Sequence, residues 1–430
     1  MEKFDLGYSL KNIPHPSYNI YVRELTDRTI HFIRRLRWKV FWFLNNTDAS
    51  DTATKNNYGF NSKNTPPKNK LLDSFENELF DIVRKVRFSY KNMDRFQARM
   101  RHDVDLIEKS RKIMVKADKT RNIYEVPKES YLGLRKNQVT STYKLDREHM
   151  VDNINRESYL IAKKLRIEDR VGKMIIKPAT LLFKDHKNNF NVRNKLPSRL
   201  LNPSKSEIGR ISKRILDDIN TTIRKKTQHC QWICTNDTIN WFNALKGKNK
   251  ATFLQFDIME YFPSISEKTF DEAITYAKRF AKITDDDVHI IKHCRRTILE
   301  CDGVLWTKKD VSRNFDVPQG SFDSCELSDL IGLYILSILG RFIDAGNVGL
   351  YRDDGLIYVP NSNGPLTSRL SKQVHRALKS IGFKSEIECN LKIVNFLDVT
   401  LNLDNESYKP FTKPNHTPLY ISTKSNHPPT

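Results

Sequence analysis

A pair of adjacent carboxylates, Asp353 and Asp354, stands between two short apolar runs and constrains the fold of this chain more than any other feature. The runs, residues 348–351 and 356–359, have the length of strands, and Asp354 followed by Gly355 is a strong signal for a tight turn between antiparallel strands. Upstream, Asp257 ends the apolar run 253–256, which is typical of a short buried strand. The pattern predicts an antiparallel sheet that brings three carboxylates to a hairpin tip and a neighbouring strand end.

A third block, Val317-Pro318-Gln319-Gly320-Ser321, lies between these two and is typical of a turn before a capped helix. Phosphoryl transfer builds negative charge on the attacking and leaving oxygens, which two Mg²⁺ ions about 3.5 to 4 Å apart can stabilise. Mg²⁺ prefers hard oxygen ligands on rigid elements. The three blocks together predict such a two-metal site, although each alone has an ordinary explanation as a turn, a helix cap or a strand end.

In this order the blocks resemble the catalytic core of reverse transcriptases, whose palm carries a strand aspartate, a Pro-Gln-Gly turn before a helix and a Tyr-x-Asp-Asp hairpin. The resemblance implies an α+β right-hand polymerase fold with fingers and an antiparallel palm sheet flanked by helices. It implies an RNA-directed DNA polymerase that uses an RNA template, a DNA primer and deoxynucleoside triphosphates. Two Mg²⁺ ions are the implied cofactors, with Mn²⁺ as an alternative. The implied catalytic residues are Asp257, Asp353 and Asp354, and the implied metal-binding residues are Asp257, Ile258, Asp353 and Asp354.

Phe262 bears on the sugar of the product. In the reverse transcriptase family an aromatic residue five positions after the first aspartate blocks the 2′-hydroxyl of a ribonucleotide, and Phe262 holds that position here. The resemblance therefore favours DNA as the product, and it implies that Gln319 and Gly320 position the template and the nucleotide. The ordinary alternative for Phe262 is a core aromatic residue.

Blocks outside the palm motifs narrow the resemblance to Penelope-like retroelement reverse transcriptases. Residues 113–119, 178–187 and 198–203 are similar to finger blocks of that group, and residues 395–400 and 425–428 are similar to blocks that follow its palm. The chain departs from the group's pattern at three positions. These are Thr120 in place of glycine, Leu200 in place of proline, and Arg352 as the middle residue of the hairpin motif.

Cations in the finger blocks are candidate contacts for a nucleoside triphosphate, because they can fold over it and neutralise the leaving group. Arg199 suits bidentate phosphate contact, whereas Lys184 or Lys187 would act as point charges. Lys392 matches a late palm lysine that protonates pyrophosphate in the family. The alternatives are a solvated basic loop for the two finger lysines and a surface strand position for Lys392.

Charge is segregated along the chain, which has a net charge of +22. Residues 1–250 hold 52 Lys and Arg against 28 Asp and Glu, whereas residues 251–430 hold 21 against 23. The excess of cations lies upstream of the carboxylates, and this pattern predicts a basic surface for a phosphate backbone. In the basic and aromatic stretch 32–43, aromatic rings could stack on bases. The alternative is an amphipathic helix with a basic face.

The predicted organisation has four parts. Residues 1–110 form a basic helical extension with a polar linker at about 45–70, residues 111–250 form the fingers, residues 251–403 form the palm, and residues 404–430 form a polar tail or the start of a truncated thumb. Helices are predicted at about 19–45, 71–90, 94–110, 149–167, 205–225, 266–300, 322–343 and 366–381. A complete helical thumb is not expected, since only 28 residues follow Asn402 and five of them are proline.

No apolar run approaches the roughly 18 residues that a membrane-spanning helix needs, so the sequence predicts an intracellular protein, nuclear or cytoplasmic, without a membrane partner. It makes no prediction of oligomeric state. Two functions of other classes remain open: a catalytically inactive descendant that binds RNA, and a template-directed enzyme with another product, such as an RNA polymerase or a terminal transferase.

Overall fold

A computed structural model of the protein describes residues 1–4, 6–45, 60, 62–88, 93–120, 122–146, 150–187, 189–190, 196–309, 315–362, 364–412 and 420–427. Most of the predicted linker, and residues 413–419 and 428–430 of the predicted tail, therefore lie outside the described residues. The linker's described end is packed rather than free, since Phe60 is buried beside the apolar faces of two helices and Arg34 donates to the carbonyl of Asn64 at 2.7 Å.

The first half of the chain is mainly helical. Its elements are β1 (Glu2–Phe4), α1 (Tyr18–Leu44), α2 (Lys70–Arg84), α3 (Arg95–Lys109), β2 (Ile113–Lys116), β3 (Ile123–Val126), α4 (Lys128–Thr142), β4 (Tyr143–Leu145), α5 (Met150–Lys164), β5 (Thr180–Phe183), β6 (Ser198–Leu201), α6 (Ile208–Lys226), β7 (Cys230–Gln231) and α7 (Thr235–Ala244).

The second half builds the larger sheet. Its elements are β8 (Thr252–Met259), α8 (Tyr261–Ser264), α9 (Glu267–Ala277), α10 (Asp285–His293), β9 (Leu299–Cys301), β10 (Val304–Lys308), α11 (Ser324–Leu339), β11 (Val348–Tyr351), β12 (Asp354–Val359), α12 (Gly364–Ser380), β13 (Lys384–Leu391), β14 (Ile393–Phe396), β15 (Val399–Asn402) and β16 (Ser407–Pro410).

The palm is a five-stranded sheet in the order β13-β8-β12-β11-β7, with antiparallel pairing except between β11 and β7. Successive residues of β8 point to opposite faces, as in any strand. Leu254, Phe256 and Ile258 enter the main core with α9, α11 and α12, whereas Phe253 packs with α7, β14 and β15. Asp257 shares the face of Phe253 by this alternation, so it lies on the face of the sheet opposite α9, α11 and α12.

The fingers contain two short hairpins that meet edge to edge. In one, β2 pairs with β3; in the other, β5 pairs with β6. Ala117 and Phe183 bridge the two hairpins, and the backbone N–H of Asp118 donates to the carbonyl of Phe183 at 2.8 Å. Phe183 is fully buried beneath them. This packing fixes the chain around Asp118 over the second hairpin.

Most predicted elements are present, with differences at their ends. The predicted helix 266–300 is two helices, α9 and α10, followed by strand β9. In the predicted helix 205–225, which is α6, Ile208, Ile211 and Ile219 are buried, whereas Ile215 is only partly buried. Helices α4 and α7 were not predicted. Among the described residues, no helix is long and apolar enough to cross a membrane.

Candidate active site

Strand register places three acidic side chains in a row across the palm sheet. Asp257 of β8 is paired with Asp354 of β12 on one side and with Glu386 of β13 on the other. Directly paired residues of antiparallel strands project to the same face, with Cβ atoms about 4.5–5.5 Å apart. Glu386, Asp257 and Asp354 therefore share the face of the sheet that is not covered by α9, α11 and α12.

The hairpin that carries Asp353 turns two residues earlier than the Asp354-Gly355 pair suggested. Tyr351 pairs with Asp354, so the turn residues are Arg352 and Asp353, and Arg352 has a φ of 55°. The left-handed region disfavours a residue with a side chain, and such backbone strain is often found at functional sites. The backbone N–H of Ile258 donates to the carbonyl of Asp353 at 2.9 Å, which fastens the turn to the residue after Asp257.

Gly355 is needed for this hairpin to lie flat on β8. It is paired with Phe256, and a Cβ at position 355 would lie within 3.0 Å of three atoms of the Phe256 ring. The missing side chain lets the ring cover the backbone of β12. The Asp354-Gly355 pair is therefore important for packing rather than for the turn.

Electrostatics show that the carboxylates repel one another. Partial burial in the cleft, and then the charge of Asp353, raise the pKa of Asp257 above its ordinary value, and Glu386 adds to the effect. Lys119 and Lys187 act in the opposite direction. A cation bound between the carboxylates would relieve this repulsion.

The donor set fits a hard divalent cation only in part. In the described ranges, no three His, Cys, Asp or Glu side chains converge as a ready-made metal cluster. Mg²⁺, however, is usually bound by one or two carboxylates, with water and substrate phosphates completing its shell. Asp257 and Asp353 supply two carboxylates of that kind. Ile258 has a buried apolar side chain and could contribute only its backbone carbonyl.

The Pro-Gln-Gly turn joins the palm to the fingers. Gly320 has a φ of 118°, and a Cβ there would lie 2.8 Å from the carbonyl oxygen of Asn202, just past the end of β6. The N–H of Asn202 donates to the carbonyl of Gln319 at 3.3 Å, and the hydroxyl of Ser324, at the start of α11, donates to Pro318 at 2.7 Å. Gly320 therefore permits a close approach that fixes Gln319 between the two parts.

Phe262 is in the short helix α8, directly after the Asp257 strand. It is partly buried, its ring makes an edge contact with Tyr261, and it still lines the cleft. Tyr261 is buried and donates to the carbonyl of Ser328 at 2.7 Å, which anchors this helix on α11. Phe262 thus combines a core contact with an exposed edge near the carboxylates.

One of the predicted finger cations, Arg199, is paired with a buried carboxylate. Arg199 Nη1 donates to Asp118 Oδ1 at 3.0 Å, and only 5% of the Asp118 side chain is exposed. Burial, and then the charge of Arg199, lower the pKa of Lys184. Lys187 follows one turn later, with its N–H bonded to the carbonyl of Lys184 at 3.1 Å.

Two adjoining cavities bring these groups together. A cavity of about 500 Å³ is lined by Lys184, Lys187, Asp257, Ile258 and Glu386. A larger one, of about 1180 Å³, is lined by Gly320 and Asp354. Both share the lining residues Lys119, Arg199, Phe262, Gln319 and Asp353. The result is one cleft with cationic fingers on one side and the carboxylate row on the other.

Lys392 is placed apart from this group. Its ammonium donates to the carbonyl of Asn249 at 2.8 Å and lies 3.7 Å from Asp404, and it lines neither cavity. The late palm lysine of the sequence motif is thus not brought to the carboxylates in this structure. Conversely, sequence patterns did not single out Glu386 or Asp118, which the strand register and the Arg199 ion pair bring to the site.

Comparisons with solved structures show a likeness to telomerases. The chain superposes on telomerase from Candida albicans, solved in complex with the TWJ fragment of telomeric RNA, with a TM-score of 0.52 and 11% identity. The superposition covers 83% of this chain and 62% of the telomerase chain. For apo telomerase from Candida tropicalis truncated from its C-terminal domain, the TM-score is 0.50 and the identity 12%, with 90% and 89% of the two chains covered. The RNA-dependent RNA polymerase of bacteriophage phi12 is more distant, with a TM-score of 0.39 and 12% identity over 62% of this chain and 47% of that one.

No family model and no curated protein matches the sequence. The chain spans less than two thirds of the Candida albicans telomerase chain, and an identity of 11% bears on fold alone. The palm sheet, the finger hairpins and the two telomerase superpositions agree: the chain has the right-hand polymerase fold, with fingers and palm.

Proposed function

We propose that the protein is an RNA-directed DNA polymerase that transfers nucleotides to a primer 3′-hydroxyl with two Mg²⁺ ions. The observation that carries the proposal is the cleft, in which Asp257 and Asp353 face the finger cations Arg199, Lys184 and Lys187. In a nucleoside triphosphate with bound Mg²⁺, the phosphates are negative and the metal ions are positive. The finger cations would neutralise the phosphates, and the carboxylates would neutralise the metal ions.

The roles of the chain's own residues follow from their positions. Asp257 and Asp353 would hold the ions, with Asp354 beside them on the same face. When bound, the ions would stabilise charge on the attacking and leaving oxygens. Arg199 keeps one arm of its guanidinium on Asp118, which leaves its remaining N–H groups to bind phosphate.

Phe262 and the Pro-Gln-Gly turn would select and place the nucleotide. Phe262 lines both cavities between the carboxylates and the fingers, where a ring can exclude a 2′-hydroxyl by its bulk. Gln319 also lines both cavities and is fixed through its carbonyl to Asn202. These positions support a DNA product. Together with the similarity of its finger blocks to those of Penelope-like elements, they support an enzyme of the retroelement class.

The nucleic-acid partner is supported by charge. Residues 111–250 hold 32 Lys and Arg against 14 Asp and Glu, and the structure folds the finger part of this segment over the cleft. A basic wall above an acidic metal site suits a phosphate backbone that must approach the carboxylates. An RNA template and a DNA primer are the proposed partners.

Primer extension tests the proposal. The purified chain is given a DNA primer annealed to an RNA template, Mg²⁺, and either deoxynucleotides or ribonucleotides. We expect DNA products from the wild type, none from Asp353→Ala, and unchanged extension from the control Asp285→Ala, whose fully exposed side chain lies on α10. Phe262→Ala should increase ribonucleotide use, whereas Phe342→Ala, outside both cavities, should not.

Two results would contradict the proposal in different ways. RNA products at the rate of DNA products would show an RNA polymerase. Salt-sensitive binding of the template and primer, without extension under any metal, would show an RNA-binding protein that retains only the fold.

A further inference from the structure

Helix α8, which carries Phe262, is too short to fix its own orientation. It has four residues, and one of them is a proline, which has no N–H to donate. The residue before it, Glu260, has a φ of 49°, in the left-handed region that a residue with a side chain rarely adopts. A single helical turn has little stability of its own. The direction of the Phe262 ring therefore depends on contacts with other elements.

Two such contacts hold α8. In the first, the hydroxyl of the buried Tyr261 donates to the carbonyl of Ser328 on α11 at 2.7 Å. In the second, the ammonium of Lys308, at the end of β10, donates to the carbonyl of Pro263 at 3.2 Å. Pro263 directly follows Phe262, so the second contact acts on the residue next to the ring.

The same ammonium is paired with a buried carboxylate. It lies 3.4 Å from Asp316, whose side chain is only 5% exposed. Asp316 also accepts from the hydroxyl of Thr297 at 2.7 Å and from that of Tyr143 at 3.1 Å, so its position is fixed. In the sequence it directly precedes the Pro-Gln-Gly block. Lys308 thus joins the residue after Phe262 to the residue before that block.

Lys308 also forms part of the cleft wall. It lines the smaller cavity together with Phe262, Pro263 and Gln319. An ammonium in this place could bind an anionic ligand, but the Lys308 side chain is only 14% exposed and is directed to two acceptors of the protein. These contacts favour a role through neighbouring residues over direct contact with a substrate.

We infer that Lys308 is a positioning residue, which sets sugar selection by holding Phe262 in place at the nucleotide site. The inference rests on the proposed polymerase function, in which the Phe262 ring excludes a 2′-hydroxyl by its bulk. A pocket that rejects an added hydroxyl by bulk discriminates by about 100-fold, and it does so only while its wall cannot move. A ring on an unanchored helical turn would give way to a ribonucleotide.

Single-nucleotide primer extension by the full chain tests the inference. The ratio of kcat/KM for a deoxynucleotide to that for the matching ribonucleotide measures the selectivity. The unfolded fraction of a variant cancels in this ratio, so a loss of stability alone does not change it. We expect Lys308→Met to lower the selectivity by about tenfold, mainly through a lower KM for the ribonucleotide. Lys308→Arg, which keeps the charge and the donors, should retain most of the selectivity.

A second variant and a matched control guard against a folding defect. Lys308→Met removes a cation from the buried Asp316 and should destabilise the fold. Lys308→Met combined with Asp316→Asn also removes the buried charge, and it should lose selectivity equally because the carbonyl of Pro263 still lacks its donor. The control is Lys309→Met. Lys309 donates to the carbonyl of Thr140 at 2.6 Å and lines neither cavity, so its loss should leave the selectivity unchanged.

A double-mutant cycle shows whether Lys308 acts through Phe262. In the Phe262→Ala protein there is no ring to position, so adding Lys308→Met should change the selectivity no further. A direct contact between Lys308 and the nucleotide would give the same effect with and without the ring. Equal losses in the two backgrounds, or unchanged selectivity in Lys308→Met and in its combination with Asp316→Asn, would overturn the inference.

Hydrogen exchange followed by mass spectrometry gives a readout that needs no activity. The N–H groups of Ser264 and Ile265 donate to the carbonyls of Glu260 and Phe262. Relative to the amides of the buried helix α11, they should exchange faster in Lys308→Met than in the wild type. Unchanged exchange would overturn the inference even if primer extension succeeds. Faster exchange without any extension by the wild type would overturn the polymerase proposal, and with it the role in sugar selection.

Discussion

Replacing Gly355 by alanine is the most direct test of how the sheet positions the carboxylates. The new Cβ would lie within 3.0 Å of three Phe256 ring atoms, and Cβ atoms in real structures essentially never have contacts this short. The Phe256 side chain is 1% exposed in the main core. Its strand, β8, is paired on both sides, by β12 and β13. Neither the ring nor the backbone can therefore give way without disturbing other contacts.

The expected cost follows from this geometry. Adding one methyl group to a packed core typically costs about 1–3 kcal/mol, and the upper end applies because the collision is with a buried ring between paired strands. We expect Gly355→Ala to lower the free energy of unfolding by about 3 kcal/mol. Polymerase activity should also fall in the protein that remains folded, because Asp354 adjoins the substitution. A shift of about 1 Å in a catalytic group can lower the rate about 100-fold.

Urea unfolding followed by circular dichroism measures the stability change, with two comparisons. Gly364→Ala, where a Cβ would meet nothing within 4 Å, should change the unfolding free energy by less than about 1 kcal/mol. Phe256→Leu combined with Gly355→Ala should be less destabilised than the sum of the single changes, because the smaller side chain removes the collision. A Gly355→Ala protein within about 0.5 kcal/mol of the wild type, or strict additivity in the double variant, would refute this account of the hairpin.

Three further changes test the electrostatics of the cleft. Asp257→Asn should abolish extension yet stabilise the fold slightly at pH 7.5, a small gain because Asp257 is exposed and solvent screens its repulsion by Asp353. The pKa of Asp257 is raised in the folded state, so ionisation of Asp257 destabilises the fold at any pH above its pKa in the unfolded chain. The stabilisation by Asp257→Asn should therefore vanish in unfolding experiments near pH 3. Arg199→Lys should weaken triphosphate binding by about tenfold in calorimetry, because lysine cannot bind Asp118 and a phosphate as one planar fork; equal affinity would contradict that role. Template binding, measured by fluorescence anisotropy, should fall on the order of 10³-fold between 50 and 200 mM salt if six or more phosphates are neutralised, and a flat salt response would contradict a backbone-binding surface.

The palm could be predicted from sequence because its signals are local. Asp257 follows an apolar run, and residues 348–351 and 356–359 are two short apolar runs on either side of a turn, so the element types follow from a few residues each. The exact turn did not follow. Asp354-Gly355 is the residue pair that favours a tight turn, but the collision between a side chain at position 355 and Phe256 is a tertiary constraint, and it requires glycine there for packing.

The residues that sequence analysis missed depend on register and on packing between distant segments. Glu386 lies 129 positions after Asp257, and only the pairing of β13 with β8 makes them neighbours. Asp118 and Arg199 meet because the two finger hairpins are bridged at Ala117 and Phe183. Lys392 is a converse case, since its motif position predicts a place near the carboxylates, whereas its ammonium lies against the carbonyl of Asn249 in the structure. A motif position in the sequence therefore did not determine where that side chain lies.

The two walls of the cleft each carry charges of one sign that neighbouring side chains do not fully neutralise. A ligand with both signs of charge would neutralise both walls. On the palm side, partial burial and then the charge of Asp353 raise the pKa of Asp257, and Lys119 and Lys187 offset this only in part. On the finger side, burial and then the charge of Arg199 lower the pKa of Lys184, and the nearby Asp118 offsets this only in part. Lys119 lines both cavities, and its charge lowers the pKa of Asp257. A triphosphate with its metal ions supplies both charges at once, so each part of the ligand should increase the affinity of the cleft for the other, as reciprocal coupling between sites requires.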